Sequence, residues 1–205
     1  MGSCPCSLPP VVIKLIKGES VLDVACGYGL WGHLISTNSW EAGLTKSPSV
    51  DGLDAFTPNV EICARSGWYR RTWQQILPSD LNGSWDTVLA IEFLEHLEQK
   101  NVNEVVDLLE SRAKERIIFS TPNYPFSREG LTTPSGFNQY EAHRSYISRR
   151  FFKQRGYKLI GVDLGNPSSI IARVLDRLPG RSLLGSIPRL IPSLGIQLVA
   201  FKDTK

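Results

Sequence analysis

The sequence predicts an α/β fold: a seven-stranded, mostly parallel sheet with helices on both faces and an antiparallel last strand. Three observations carry this expectation. Short apolar runs bounded by turn residues alternate with segments of helical period along all 205 residues, as repeated strand–helix–strand units do. The run after Asp86, Thr87 to Ile91 in the sequence TVLAI, is almost wholly apolar, as a strand covered on both faces must be. The first apolar run ends in a turn carrying Gly27 and Gly29, after which the period changes to helix.

Taken in order, residues 1–10 read as a flexible leader, and 8–17 as an apolar lead-in of one or two helical turns behind Pro9 and Pro10. Val21, Leu22, Asp23, Val24 and Ala25 form the first strand, and Leu30, Trp31, Leu34 and Ile35 open the first helix. Residues 37–49 are polar and turn-rich, and 50–56 form the second strand. Thr57 and Pro58 start a helix, with proline where helices accept it. The third and fourth strands are 68–73 and 85–91; 103–114 is an amphipathic helix with Val105, Val106, Leu108 and Leu109 inward, and 116–120 is the fifth strand. Residues 124–148 are polar, with glycine and proline, and read as a functional loop. A short helix at 151–155, a sixth strand at 157–162 and a last strand at 194–202 complete a single domain over 1–205, with 124–150 and 165–193 as substrate-covering segments.

The glycine turn carries the first chemistry. Glycine lets the backbone turn tightly and approach a ligand, and the following helix start offers free N–H groups. This is a nucleotide-type site at the carboxyl end of the first strand. Gly27, Gly29 and Gly32 satisfy G-x-G-x-x-G, a pattern weak by itself. Asp23 argues against a dinucleotide, because a carboxylate at the mouth of a phosphate cradle repels pyrophosphate and suits a cation. S-adenosylmethionine (SAM) has no phosphate and carries an ammonium and a sulfonium. Asp23, Ala25, Gly27 and Gly29 resemble the first motif, D-x-G-x-G-x-G, of class I SAM-dependent methyltransferases, with Ala25 in place of the first glycine. That replacement costs little where φ is negative.

The resemblance covers nearly the whole chain and implies a Rossmann-like fold and SAM as cofactor. It carries Asp23, Ala25, Cys26, Gly27, Tyr28 and Gly29 into the cofactor site. Asp54, with Ala55 beside it, ends the second strand where an acid takes the ribose hydroxyls, although an acid there also serves as a helix cap. Relatives usually place Asp at the end of the third strand for the adenine amino group. Here Thr72, Trp73, Gln74, Gln75 and Ile76 contain no acid. Gln74, backbone amides and apolar contact from Trp73 or Ile76 are the substitutes.

A second cluster follows the fourth strand. If helix begins there, Glu92, Glu95 and His96 lie at i, i+3 and i+4 on one face. Two carboxylates and an imidazole converging on one point form either a metal site or a costly like-charge cluster. His143 is the further candidate, and His33 reads as structural. The arrangement resembles small-RNA 3′-terminal 2′-O-methyltransferases, which carry E-x-x-E-H after the fourth strand, S-T-P-N after the fifth and a later His. Here Glu92, Glu95 and His96, then Ser120, Thr121, Pro122 and Asn123, then His143 match those positions. Quinone-biosynthesis O-methyltransferases share E-x-x-E-H. The resemblance implies Mg²⁺ on Glu92, Glu95, His96 and His143, beside neighbouring substrate oxygens; the mixed ligand set suits Mn²⁺ as well. In the metal-free alternative Glu92 contacts the cofactor, Glu95 and His96 cap or pack, and His143 or His96 is the general base. Tyr124 and Tyr140 come after them.

The reading is therefore a SAM-dependent O-methyltransferase of a small molecule or glycan. A net charge of +3 and the lack of a basic tract weigh against nucleic acid, so an RNA 3′-terminal ribose is the rival acceptor. SAM binding without transfer and an NAD-dependent oxidoreductase are the rivals from other classes. Residues 165–193 set Ile170, Ile171, Val174, Leu175 and Leu178 beside Arg173, Arg177, Arg181 and Arg189, against Asp176 alone. They read as a packed lid or homodimer contact, or else as a face for an anionic or lipid-linked substrate at a membrane surface. No membrane-length apolar run and no signal-peptide pattern is found. The expectation is a cytoplasmic protein with free thiols at Cys4, Cys6, Cys26 and Cys63. Met1 and Gly2 suggest an acylation signal, but Cys6 stands where Ser or Thr is wanted.

Overall fold

The computed structural model describes residues 5–41, 47–177 and 184–204. Its sheet has seven strands in the order β3-β2-β1-β4-β5-β9-β8. These are β1 (Ser20–Val24), β2 (Ser49–Asp54), β3 (Arg71–Gln74), β4 (Trp85–Ile91), β5 (Ala113–Pro122), β8 (Lys158–Leu164) and β9 (Gly195–Asp203). The first five run parallel, and β9 lies antiparallel between β5 and β8. The expected α/β sheet with an antiparallel last strand is thus the observed one. Strand order reverses between β1 and β4, where successive connections leave the sheet on opposite faces and open a crevice at the strands' carboxyl ends.

Alternation along the central strands builds a core on each face. From β4 and β5, Val88, Ala90, Ile117 and Phe119 point to one side, and Leu89, Ile91 and Ile118 to the other. The helices α2 (Leu30–Glu41), α3 (Thr57–Ser66) and α4 (Val102–Arg112) connect the parallel strands, and α4 turns Val105, Val106 and Leu109 inward. A fully buried acid is set into this core. Asp51 in β2 accepts from Arg70 Nε and Nη2 (2.8 and 2.6 Å), Arg71 Nε (3.0 Å) and Trp85 Nε1 (2.8 Å). Burial alone would raise its pKa, but these donors outweigh it and hold the carboxyl below its ordinary value.

Several expectations are corrected. The described part of the leader is ordered: α1 (Pro9–Val12) follows a fully buried Leu8, and the Ser7 hydroxyl donates to the Asp163 carboxylate. Residues 1–4, with Cys4, lie outside the described residues. The loop expected at 124–148 holds an antiparallel hairpin, β6 (Arg128–Thr133) and β7 (Gly136–His143), before the short helix α5 (Arg149–Gln154). No helix begins at Glu92. Its φ of 51° is incompatible with a right-handed start, and only a 3₁₀ turn over Leu94–His96 follows. In the second covering segment, α6 (Ile170–Asp176) buries Ala172 alone and leaves Ile170 71%, Ile171 64% and Val174 56% exposed, so it does not pack as a lid. The short helix α7 (Ile187–Leu190) sits against β8. Leu178 and Arg181 fall outside the described residues. Among the described residues no helix is long and apolar enough to cross a membrane.

Two of the glycines serve the fold rather than a ligand. A Cβ on Gly32 would meet the Tyr69 ring at 2.5 Å, and one on Gly52 would meet it at 2.9 Å. Tyr69 fills this hole between α2 and the sheet. Its hydroxyl donates to Asp23 Oδ2 at 2.6 Å and accepts from the Gly32 N–H at 3.2 Å. One oxygen of Asp23 is therefore committed to Tyr69. Its Oδ1 is buried without a hydrogen-bond partner, and burial, against the Tyr69 bond, pushes its pKa up to about 7.

Two outcomes follow from this packing. Gly32→Ala should cost roughly 1–2 kcal/mol in denaturant unfolding, because the added methyl displaces the Tyr69 ring from its bonds to Asp23 and Gly32, a cost partly offset by the better helix propensity of alanine. Asp23 has a folded pKa above its unfolded value, so its contribution to stability is complete near pH 3.8 and is lost as pH rises through about 7. Asp23→Asn should remove this slope, on the order of 1 kcal/mol per pH unit, so the variant gains on the parent from pH 5 to pH 8. Unfolding curves with the same pH dependence in both proteins would refute the assignment.

Candidate active site

A cavity of about 220 Å³ opens at the crevice. One end is formed by the tips of β1, β2 and β3: Ala25, Leu53, Asp54, Ala55, Gln75, Ile76 and Leu77. The other is formed by Glu92, His96, Asn138, Tyr140, Glu141 and Arg144.

At the first end, Ala25 has φ 58°, not the negative φ expected of it. A left-handed alanine costs roughly 1–2 kcal/mol, so the turn is held from outside. Cys26 N–H donates to Leu53 O at 3.0 Å, and Gly27 N–H to Asp54 Oδ2 at 2.9 Å. Asp54 also accepts from the Phe56 N–H (2.8 Å) and Asn59 Nδ2 (3.2 Å). It thus fixes both the turn and the entry to α3 while lining the cavity, and these three bonds leave one lone pair uncommitted, on Oδ1. Cys26, Gly27, Tyr28 and Gly29 stand behind the wall. Cys63 Sγ donates to Gly27 O at 3.2 Å, and the Tyr28 hydroxyl is buried without a partner.

Trp73 and Gln74 are not brought to the cavity. The Trp73 ring stacks on Trp85 with centroids 6.4 Å apart, and Gln74 Nε2 donates to Ala55 O. The wall is made instead by Gln75, Ile76 and Leu77. Of the substitutes the sequence offered, Ile76 lines the cavity and Trp73 and Gln74 do not, because the wall is built by the segment that follows β3 and not by the strand itself.

At the second end, Glu92 N–H donates to Ser120 O and Oγ (3.1 and 3.0 Å), and its carboxylate accepts from the Ser120 hydroxyl at 2.7 Å. The Gln197 amide, turned to donate, lies 3.2 Å from both carboxylate oxygens. Burial, only partly opposed by the Ser120 bond, pushes the Glu92 pKa up to about 7. Glu95 is 2% exposed, and neither carboxylate oxygen has a hydrogen-bond partner. Burial, then the neighbouring Glu92 charge, raises its pKa well above the ordinary range.

The two imidazoles are oriented alike. His96 Nδ1 lies 3.1 Å from Ala142 O, and His143 Nδ1 lies 3.1 Å from Phe126 O. Each Nδ1 therefore carries the proton and each Nε2 presents a lone pair. His96 Nε2 is buried without a partner. Burial lowers the His96 pKa to about 3 and lowers that of His143 as well. The rings meet edge to face at 4.9 Å. Ligand atoms of Glu95, His96 and His143 all lie within 4.8 Å of one another. Glu92 stands outside this trio, because its backbone turns the carboxylate towards Ser120 and Gln197.

These residues fit a divalent cation. The buried oxygens of Glu95 and Nε2 of His96 have no donor to satisfy them, which is costly. The carbonyls on each Nδ1–H act as metal sites use them, fixing tautomer and ring. Two nitrogens and a carboxylate favour Mn²⁺ or a later transition ion over Mg²⁺. Of the other expected residues, Asn123 is a clamp, its amide donating to Pro192 O and Gly195 O at 2.8 Å each, and His33 packs edge-on against Trp68.

Sequence reading did not find the hairpin that supplies Asn138, Glu141 and the position of His143. Its signal was the turn at Pro134, Ser135 and Gly136 between alternating stretches. Arg128 fastens the hairpin, donating from Nη2 to Glu141 Oε2 at 2.8 Å and from Nε to Glu141 O at 3.0 Å. The chain then closes on the 3₁₀ turn, as the Arg144 and Ser145 N–H groups donate to Glu95 O at 2.8 and 3.1 Å.

Solved structures share this fold. The DhpI-SAM-HEP complex is 17% identical, with a TM-score of 0.59 over 95% of this chain and 84% of that one. Magnesium protoporphyrin IX methyltransferase from Synechocystis PCC 6803, with bound SAH, is 16% identical, with a TM-score of 0.54 over 96% of this chain and 81% of that one. A SAM-dependent methyltransferase from Archaeoglobus fulgidus is 17% identical, with a TM-score of 0.54 over 95% and 90% of the two chains. No curated protein matches the sequence. The family described as a methyltransferase domain matches residues 8–161, which is three quarters of the chain and includes the glycine turn, Asp54 and the Glu92 to His96 stretch. The chain belongs to this family and is a SAM-dependent methyltransferase.

Proposed function

We propose that the protein methylates an oxygen of a small-molecule or glycan acceptor, with that oxygen positioned by a divalent cation on Glu95, His96 and His143. One observation carries the reading. Glu95, His96 and His143 hold ligand atoms within 4.8 Å of one another, the Glu95 oxygens and His96 Nε2 are buried without partners, and His96 lines the same cavity as Asp54.

SAM supplies a methyl group already activated by its sulfonium. Asp54 is suited to the ribose, and Gln75, Ile76 and Leu77 to the adenine. A bound cation supplies Lewis acidity that lowers the pKa of an acceptor hydroxyl. The O–CH₃ bond forms as the S–CH₃ bond breaks, leaving S-adenosylhomocysteine (SAH), and the hydroxyl proton passes to a base. Glu92, held by Ser120 in the cavity wall, is the carboxylate available to take it. Asn138, Tyr140 and Arg144 line the acceptor end, where in-line transfer requires that the acceptor be held in position.

Titrating Mn²⁺ into SAH-saturated protein by calorimetry should show one saturable site per chain. Mg²⁺ should bind at least tenfold more weakly. Both His143→Ala and Glu95→Gln should abolish Mn²⁺ binding while SAH affinity stays within about twofold. SAH binding without any Mn²⁺ binding would discard the cation and leave a metal-free transfer with Glu92 as the base. Failure of SAH itself to bind would discard the assignment of the cavity.

A further inference from the structure

Beyond the hairpin the chain forms a second concavity, of about 510 Å³, lined by Tyr146, Ser148, Arg149, Arg150, Lys153 and Gln154. Three of these residues are cations and none is an acid. Elsewhere arginines are matched to carboxylates: Arg70 and Arg71 to Asp51, Arg116 to Asp203, Arg128 to Glu141, Arg155 to Asp107. Among the described residues, Arg149, Arg150 and Lys153 form no such pair. Arg149 makes only a long contact, 3.4 Å, to Asn123 Oδ1.

The surface that presents them is fixed. Ile147 and Phe152 are buried in the core on either side of Arg149 and Arg150, with Lys153 next in the chain, and Ser148 caps α5, its Oγ accepting from the Phe151 N–H. The segment is also joined to the acceptor end of the cavity. Arg144 and Ser145 hold the Glu95 carbonyl, so Tyr146 is the next residue after those that fix a proposed cation ligand. Arg149 reaches Asn123, just beyond the end of β5.

We infer that this basic concavity is a subsite for a phosphate group carried by the acceptor. Three unmatched cations on one rigid surface repel one another, and a polyanion removes that repulsion. Charge balance favours a phosphomonoester or diphosphate over a carboxylate, which would leave two cations unmatched. Guanidinium groups bind phosphate oxygens in pairs, and a lysine adds a point charge. The Tyr146 hydroxyl and the Gln154 amide add neutral donors. The assignment as an acceptor subsite rests on the proposed function. Anion binding itself does not.

The test uses pyrophosphate as probe, titrated into SAH-loaded, chelator-treated protein so that no metal competes for it. Saturable binding is expected, weakened at least tenfold in Arg149→Gln/Arg150→Gln/Lys153→Gln and several-fold in Lys153→Gln alone. SAH and Mn²⁺ binding should be unchanged in both, which also reports their folding. Vesicles of phosphatidylcholine with and without phosphatidic acid distinguish the phosphate's source. Sedimentation with phosphatidic acid vesicles, reversed by pyrophosphate, supports a lipid-borne phosphate; pyrophosphate binding without sedimentation supports a soluble phosphorylated acceptor. No saturable pyrophosphate binding, or equal binding in the triple variant, overturns the inference. Loss of SAH or Mn²⁺ binding in the parent would overturn the proposed function instead, whatever the anion result.

Discussion

The buried carboxylate of Glu95 is the constraint around which the acceptor end is arranged. With no hydrogen bond to either oxygen, the ionised group is a cost to folding unless a countercharge reaches it. Arg128, whose charge acts on Glu95, is committed to Glu141 at 2.8 Å. The carbonyls of Ala142 and Phe126 occupy the Nδ1–H of each neighbouring imidazole. What remains beside Glu95 is the pair of imidazoles, whose ligand atoms lie within 4.8 Å of its carboxylate and of each other, a set that suits a cation. The hairpin exists in this arrangement to bring His143 up to it, and the Arg144 and Ser145 bonds to the Glu95 carbonyl lock the two segments together.

The donor end rests on a different device. Ala25 follows the last residue of β1 and Glu92 the last residue of β4, and both have positive φ, 58° and 51°. These strands are neighbours, and the reversal of strand order falls between them. Each left-handed residue turns its chain away from the sheet at the same level, so the crevice opens between them. Strained residues of this kind persist where surrounding bonds over-determine them. Here the surrounding bonds are those of Asp54 to the Gly27 N–H and of Ser120 to Glu92.

The central sheet was legible because buried parallel strands appear as uninterrupted apolar runs, and the turn beside Asp23 was legible because so few residues fit it. The hairpin was not, since a two-stranded ribbon outside the sheet buries few side chains: in β7 only Asn138, Glu141 and Ala142 are buried, and two of those are polar. The helical lead-in from Leu8 was legible as an apolar stretch behind two prolines, but the full burial of Leu8 was not, because it depends on long-range packing. The residue types of the acceptor cluster were readable, but their geometry was not. Periodicity put Glu92, Glu95 and His96 on one helical face, whereas a backbone dihedral at Glu92 decides which carboxylate joins the histidines. Gly32 was readable as glycine, but not as the space for a tyrosine encoded far along the chain.

One physical cause divides the labour at the acceptor end. Desolvation disfavours the charged form of every group, so it lowers imidazole pKa values and raises those of carboxylates. It takes His96 down to about 3, which keeps the ring neutral near pH 7 with its Nε2 lone pair free. Such a ring is a good ligand and a poor proton acceptor. The same burial takes Glu92 up to about 7, where a carboxylate exchanges protons most usefully near neutral pH. Burial therefore pulls the two kinds of group apart, and the proposed mechanism uses that difference: the histidines as ligands and Glu92 as the proton acceptor. A cation on the trio would lower the proton affinity of both imidazoles further and so strengthen the division.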